Sequence, residues 1–223
     1  MATNDDRIDH LTGLLSRIAF EDQFIRLFEH AKNTEKPLSL AFLDIDDMRL
    51  INDQYGHLAG DVTIKQVAKI VRENAGYKSI CARFGGEEFV IIFPDTEREQ
   101  SFLTLERIRS EIERNETLQV DDQSIDIRIT VSGGLAAYPF DGRNDREVMR
   151  KADQAMYRAK NTGRNKICLS HEERMVTKTT HYTPTQLERL ASLSQESSVG
   201  EADLLREALD DLLIKHGVSD IET

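Results

Sequence analysis

Cysteine is scarce in this chain, long apolar runs are missing, and cations are outnumbered. Two cysteines, Cys81 and Cys168, occur in 223 residues. Both lie in apolar, strand-like stretches, and their separation suggests neither a disulfide framework nor a metal site. They read as small core residues of a protein kept in a reducing compartment. No apolar run approaches the length that spans a bilayer, so no membrane is implied. The amino terminus lacks a basic stretch followed by an apolar core, so export is not expected and the setting reads as cytoplasmic. Lysine and arginine number 29 against 40 acidic residues, for a net charge of −11. This length holds one domain of ordinary size with a small appendage.

The most informative segment is RFGGEEFV, residues 83–90. SICARF before the glycines and FVIIF after them have the composition of strands, which places Gly85 and Gly86 in a hairpin turn. Glycine there permits positive φ and lets a bulky ligand approach the backbone. Glu87 and Glu88 are expected to leave the turn on opposite faces, as strand side chains alternate. Two carboxylates at such a turn suit a divalent cation and a phosphate, although an exposed polar turn would look the same in isolation.

A second acidic cluster lies upstream in LSLAFLDIDDMRLINDQYGHLAGD, residues 38–61. LSLAFL reads as a buried strand that delivers Asp44 and Asp46 at its carboxyl end. Carboxylates so placed supply the hard oxygen ligands that magnesium takes beside phosphates. A loop that caps the next helix accounts for Asp47 and Asp53. It accounts less well for Asp44, which ends an apolar strand and would be costly to half-bury without a cation.

Periodicity sketches the rest of the first domain. Residues 17–31 form an amphipathic helix with Phe20, Phe24, Leu27 and Phe28 on one stripe. Residues 38–43 are a strand, and 59–74 a helix with Ile64, Val67, Ala68 and Val71 at helical spacing. After the hairpin come a helix over 97–114, one long strand over 125–136, a helix over 146–160 and a short strand over 166–169. Gly163 marks the helix stop, which puts Arg164 in the following turn. The expected class is α/β (α+β), a sheet with helices packed on it.

Five separated segments carry a resemblance. DHLTGLLSR (9–17), the LDID…IND…GH…GD stretch (43–61), RFGGEEF (83–89), TVSGGLA (130–136) and ADQAMYRAKNTGRNK (152–166) stand in one order and spacing. Together they resemble the GGDEF-domain diguanylate cyclases, here with a GGEEF variant. The resemblance implies a palm-like nucleotidyl cyclase fold that condenses two GTP molecules into cyclic di-GMP and releases pyrophosphate. It implies two Mg²⁺ (or Mn²⁺) ions per site, held by Asp44 and Glu87 with the Ile45 carbonyl assisting. Glu88 helps hold metal or accepts the proton of the attacking 3′-hydroxyl. Asn52 and Asp61 match positions that read the guanine edge, and Arg49, Lys160 and Arg164 match basic positions facing the triphosphate. Gly85 and Gly86 would let phosphates lie against the backbone. Without that resemblance, Lys160 reads as a snorkelling surface lysine, Arg164 as a helix-terminal charge and His57 as a capping or packing residue.

Several departures from the family pattern carry meaning. Many members bear an RxxD product-binding motif ahead of the glycine turn, and the matching positions here hold Gly76 and Ser79. Inhibition by product is therefore expected to be absent. Arg49 replaces a more usual lysine and keeps the charge with a different geometry. Ser16 stands where asparagine is common.

From residue 170 the sequence leaves that pattern. It reads as a linker over 170–175, a strand–helix–helix unit over 176–217 and a tail over 218–223. The strand is expected to end at Thr183, which caps a helix begun by Pro184. A turn at SSVG leads to a second helix from Glu201. Leu204, Leu205, Ala208, Leu209, Leu212 and Leu213 recur at helical spacing. A unit this small cannot bury that face alone, so it should dimerise or dock. It resembles the ribbon-helix-helix family, whose intertwined dimers in many cases place their ribbon in the DNA major groove. Residues 170–223 hold 11 acidic and 5 basic residues, which favours homodimerisation over DNA binding. Lys178 with Thr177 and Thr179 remains a small candidate DNA surface. The cyclase pattern begins almost at Met1 with no sensor or coiled coil ahead of it, so this tail is the expected source of dimerisation.

Overall fold

The computed structural model describes residues 7–115, 117–121, 123–170 and 182–197, with helical positions between 200 and 216. The chain divides into two compact units, Met1–Glu173 and Arg174–Thr223.

In the first unit, α1 (Arg17–Thr34) leads into β1 (Leu38–Ile45), α2 (Met48–Tyr55) and α3 (His57–Asn74). The hairpin of β2 (Ile80–Gly85) and β3 (Glu88–Pro94) follows, then α4 (Arg98–Arg114) and a small ribbon of β4 (Thr117–Val120) and β5 (Gln123–Asp126). β6 (Val131–Tyr138), α5 (Asp145–Asn161) and β7 (Ile167–Leu169) complete it. Five strands form one sheet in the order β2-β3-β1-β6-β7. β1 runs antiparallel to β3 and β6, and β7 runs parallel to β6.

Every residue of β1 is buried, as a central strand covered on both faces requires. Its alternation sorts the core. Leu38, Leu40 and Phe42 join Phe20, Phe24, Phe28, Val148, Ala152 and Met156 on the α1/α5 face. Ala41, Leu43 and Ile45 join Val67, Val71, Leu105 and Ile108 on the α3/α4 face. By the same parity Asp44 falls on the α5 side, and this aims it at the site.

α5 reaches that position because β6 carries two glycines. A Cβ on Gly134 would lie 2.1 Å from the Met156 backbone nitrogen and 2.2 Å from the Ala152 carbonyl oxygen. The helix backbone therefore rests directly on the strand, which explains the SGG of residues 132–134. α1 is capped by Ser16, whose Oγ accepts from the Ala19 N–H at 3.4 Å, so serine there fills a helix-capping role.

Four points differ from the sequence expectations. The long strand over 125–136 is broken: Gln123–Asp126 pairs with β4, residues 127–130 are irregular, and the central strand starts at Val131. Ile125, Ile127, Ile129 and Val131 all turn toward the core across the break, so period-two alternation runs through it unchanged. α2 forms over residues that show no helical period in the sequence, with only Met48 and Ile51 buried. Glu87 lies in the two-residue turn itself, and β3 begins at Glu88. His57 opens α3 and is exposed, with Gly56 at the cap position.

In the second unit, α6 (Pro184–Ser197) begins where Thr183 caps it. Thr183 Oγ1 accepts from the Gln186 N–H at 3.3 Å, and Gln186 Oε1 accepts from the Thr183 N–H at 2.9 Å. This reciprocal pair is a capping box. Positions 201, 204, 205, 208, 209, 212 and 215 are helical, with Leu205, Leu209 and Leu212 exposed. The strand expected over 176–183 lies outside the described residues up to position 181.

Candidate active site

β1 and β3 place Asp44 directly opposite Glu88. Like charges facing across a strand pair are destabilising, and such a pairing in a well-packed sheet marks a site rather than a scaffold. The turn between β2 and β3 closes over the end of β1, where the Ile45 N–H donates to the Glu87 carbonyl at 3.3 Å. From α5, Lys160 Nζ reaches Asp44 Oδ1 at 2.7 Å, with the carboxylate only 6% exposed.

Electrostatics express the crowding. Burial raises the Asp44 carboxyl above its ordinary range, offset by Lys160 and reinforced by Asp46. Burial and then Asp44 raise Glu87, with Glu88 adding to the effect. Burial, Asp44 and Asp153 raise Glu88 against Lys160 and Arg17. Three crowded carboxylates share Lys160 as their common cation, so an additional positive charge is stabilising here. All three offer the hard oxygen that Mg²⁺ prefers, and the donor chemistry fits such an ion. Among the described residues the side chains are not drawn together tightly enough to enclose one, and Lys160 occupies Asp44 instead.

The turn is pinned from outside. Arg83 donates through Nε and Nη2 to the Gly86 carbonyl at 2.8 and 2.7 Å, and through Nη1 to Asp9 at 3.2 Å. Asp9 in turn accepts from the Thr12 N–H and hydroxyl at 2.9 and 2.6 Å. The DHLTG segment thus buttresses the turn, a role that neither motif reveals in its sequence. Gly86 adopts φ +41° and faces open space, so the backbone there is accessible. At Gly85 a Cβ would meet only the Glu88 carboxylate, at 3.8 Å.

The remaining candidates fall into two groups. The Asn52 carboxamide rests on Gly60, where a Cβ would lie 2.0 Å from Asn52 Oδ1, so Asn52 sits beside the residue preceding exposed Asp61. Arg49 stands 94% exposed, 3.6 Å from Asp53, and Arg164 lies 3.6 Å from Asp47. The structure brings Asp44, Glu87, Glu88 and Lys160 together, and leaves these two arginines on exposed ion pairs. Asp44, Glu88 and Lys160 line an open cleft of about 570 Å³ that also takes in Asp153 and Tyr157. The spacing of 153, 157 and 160 on one helix face was the available signal for the last two.

A profile described as the diguanylate cyclase GGDEF domain matches residues 6–166. The chain belongs to that family. A ribbon-helix-helix domain profile matches residues 175–217, and the appended unit is of that kind. Diguanylate cyclase A of Treponema denticola is 35% identical over 166 residues, covering 71% of this chain and 44% of its own length. Escherichia coli K12 diguanylate cyclase DosC is 32% identical over 161 residues, covering 72% of this chain and 34% of its own. The chain therefore spans less than half the length of these curated relatives. Among solved structures, the GGDEF domain of DgcB from Caulobacter crescentus, in complex with c-di-GMP, superimposes with a TM-score of 0.72 at 36% identity. It covers 77% of this chain and 97% of that one. An active GGEEF domain of a Vibrio cholerae diguanylate cyclase gives 0.65 at 31% identity, over 72% and 99%. The palm-like fold follows from these neighbours, and divalent metal ions are general to GGDEF cyclases. Among the described residues no helix is long and apolar enough to cross a membrane.

Proposed function

We propose that this chain is a diguanylate cyclase that condenses two GTP into cyclic di-GMP and pyrophosphate, each domain of a homodimer presenting one nucleotide. The observation that carries this is Asp44 facing Glu88 across β1 and β3, beside an accessible glycine turn and with Lys160 bound to Asp44.

Asp44, Glu87 and the Ile45 carbonyl would hold divalent cations, two per site, which stabilise the attacking and leaving oxygens together. Lys160 then turns from Asp44 toward the triphosphate, and Arg49 and Arg164 swing in from their surface ion pairs. The phosphates lie against Gly85 and Gly86. Asn52 and Asp61 hydrogen-bond the guanine edge, and a carboxylate at Asp61 accepts from a ring N–H and exocyclic amine that adenine does not present together. Glu88 takes the proton of the 3′-hydroxyl as its oxygen attacks the α-phosphorus of the other nucleotide and pyrophosphate departs.

Dimerisation belongs to the appended unit. Leu187, Leu193, Leu205, Leu209 and Leu212 are exposed there, and an acidic balance disfavours duplex DNA as their partner. Holding two cyclase domains on one dimer raises the effective concentration of the second substrate site. The test is product formation over a dilution series, for the full chain and for a chain ending at Ser170. The shortened chain should lose specific activity on dilution while the full chain keeps it. Equal behaviour at every dilution would remove the appended unit from the mechanism.

A further inference from the structure

Asp46 belongs to the same acidic cluster as Asp44, yet it is engaged quite differently. It is 4% exposed, and both its oxygens are taken by protein donors. Oδ1 accepts from the Ser132 hydroxyl at 2.7 Å, and Oδ2 from the Thr130 hydroxyl at 2.8 Å and the Asn165 N–H at 3.1 Å. Three protein donors thus engage its two oxygens, whereas Asp44 is held by Lys160.

The Asn165 contact lies in an unusual turn. Gly163, Arg164 and Asn165 adopt φ of +112°, +58° and +47° in succession. For glycine this is ordinary, for asparagine tolerable, and for arginine a strained conformation that surrounding structure must impose. The turn is gripped at every point. The Arg164 N–H donates to the Ala159 carbonyl at 3.0 Å, and the Gly133 N–H to the Lys166 carbonyl at 2.9 Å. The Asn165 side chain accepts from Arg109 at 2.9 Å and donates to Glu113 at 2.9 Å. Asp46 supplies the bond that ties this turn to the end of β1.

We propose that Asp46 is a positioning residue that holds Arg164 for the triphosphate. Resting on the cyclase assignment above, it makes the segment bearing Arg164 and the strand end bearing Asp44 one rigid platform. Lost order in that turn would misplace the guanidinium without touching the metal carboxylates.

The test combines amide hydrogen exchange over residues 162–166 with GTP affinity in a double-mutant cycle. Asp46→Ala should speed exchange in the turn, leave α5 and β1 protected, and weaken GTP binding roughly tenfold. On an Arg164→Ala background it should weaken binding no further. Asp46→Asn, which keeps an acceptor for Asn165, should restore most of the affinity. Unchanged exchange in the turn, or additive losses in the cycle, would overturn the inference. If Asp46→Ala does not fold, Thr130→Val, which removes one donor orienting the carboxylate, is read in the same cycle with the same criterion. A wild-type chain that binds no GTP would sink the cyclase assignment, while the exchange measurement would still decide whether Asp46 anchors the turn.

Discussion

Lys160 Nζ sits 2.7 Å from Asp44 Oδ1, joining the last turn of α5 to the inner end of β1 across 116 residues of sequence. The lysine gives a buried carboxylate its counter-charge, and its position on a helix end leaves it able to swing toward solvent. On the proposed function, such a site would exchange this internal cation for external ones as substrate binds.

Removing that internal cation should make folding depend on an external one. Lys160→Ala should lower thermal stability in chelator by roughly 1–3 kcal/mol, because Asp44 is left without its partner. Added Mg²⁺ should recover more of the loss than it adds to the wild type. Equal Mg²⁺ shifts in both proteins would show that Asp44 does not bind the ion.

The two glycines of β6 predict a purely structural failure. Gly134→Ala forces a methyl group against the α5 backbone at 2.1 Å, where no side chain can give way. It should destabilise the domain by about 3 kcal/mol or more in urea unfolding. Gly86→Ala meets no atom and carries only the strain of its φ of +41°, about 1 kcal/mol, so it should cost less stability and act mainly on nucleotide binding. A Gly134→Ala protein of wild-type stability would mean that α5 does not rest where the structure puts it.

The core was legible because its signals were local and periodic. The phenylalanine stripe of α1, the apolar run of β1 and the hairpin glycines each announced their element. α2 escaped because only Met48 and Ile51 of its eight residues are buried, too few to print a helical period. The break before β6 escaped because alternation survives a bend that keeps side chains turned inward. At the site, motif positions pointed to Asp44, Glu87, Glu88 and Lys160, but not to what holds them. Arg83 and Asp9 lie 74 residues apart, and Asp46 and Asn165 lie 119 apart, so their contacts exist only after folding.

Product should not restrain the proposed cyclase activity. The positions that would carry an arginine and an aspartate ahead of the glycine turn hold Gly76, at φ +97°, and Ser79, whose hydroxyl donates to the Ala75 carbonyl at 2.7 Å. Neither offers charge to a phosphate. Initial rates should be unchanged by added cyclic di-GMP, and progress curves should flatten only as GTP runs out. Inhibition by added product that is not relieved by more GTP would reveal another regulatory site.

Acid should weaken the Glu113 cluster that grips the Arg164 turn. Arg128, Arg109 and Asn165 hydrogen-bond Glu113 and hold its carboxyl well below the usual 4.5, at about 2. A depressed folded-state value means the stabilisation is complete above the unfolded value and is lost as pH falls toward 2. Because the cluster is partly exposed, its worth is on the order of 1 kcal/mol. Glu113→Gln should flatten the fall in stability between pH 4.5 and 2 relative to wild type. Parallel stability curves would show that Glu113 titrates normally.

The central claim is tested most directly by incubating the purified full chain with GTP and Mg²⁺ and resolving the nucleotides, beside a Glu87→Ala control. Cyclic di-GMP and pyrophosphate from the wild type, with at least a hundredfold less from the variant, is the predicted result. A folded, dimeric wild type that binds GTP and forms no cyclic di-GMP would contradict it.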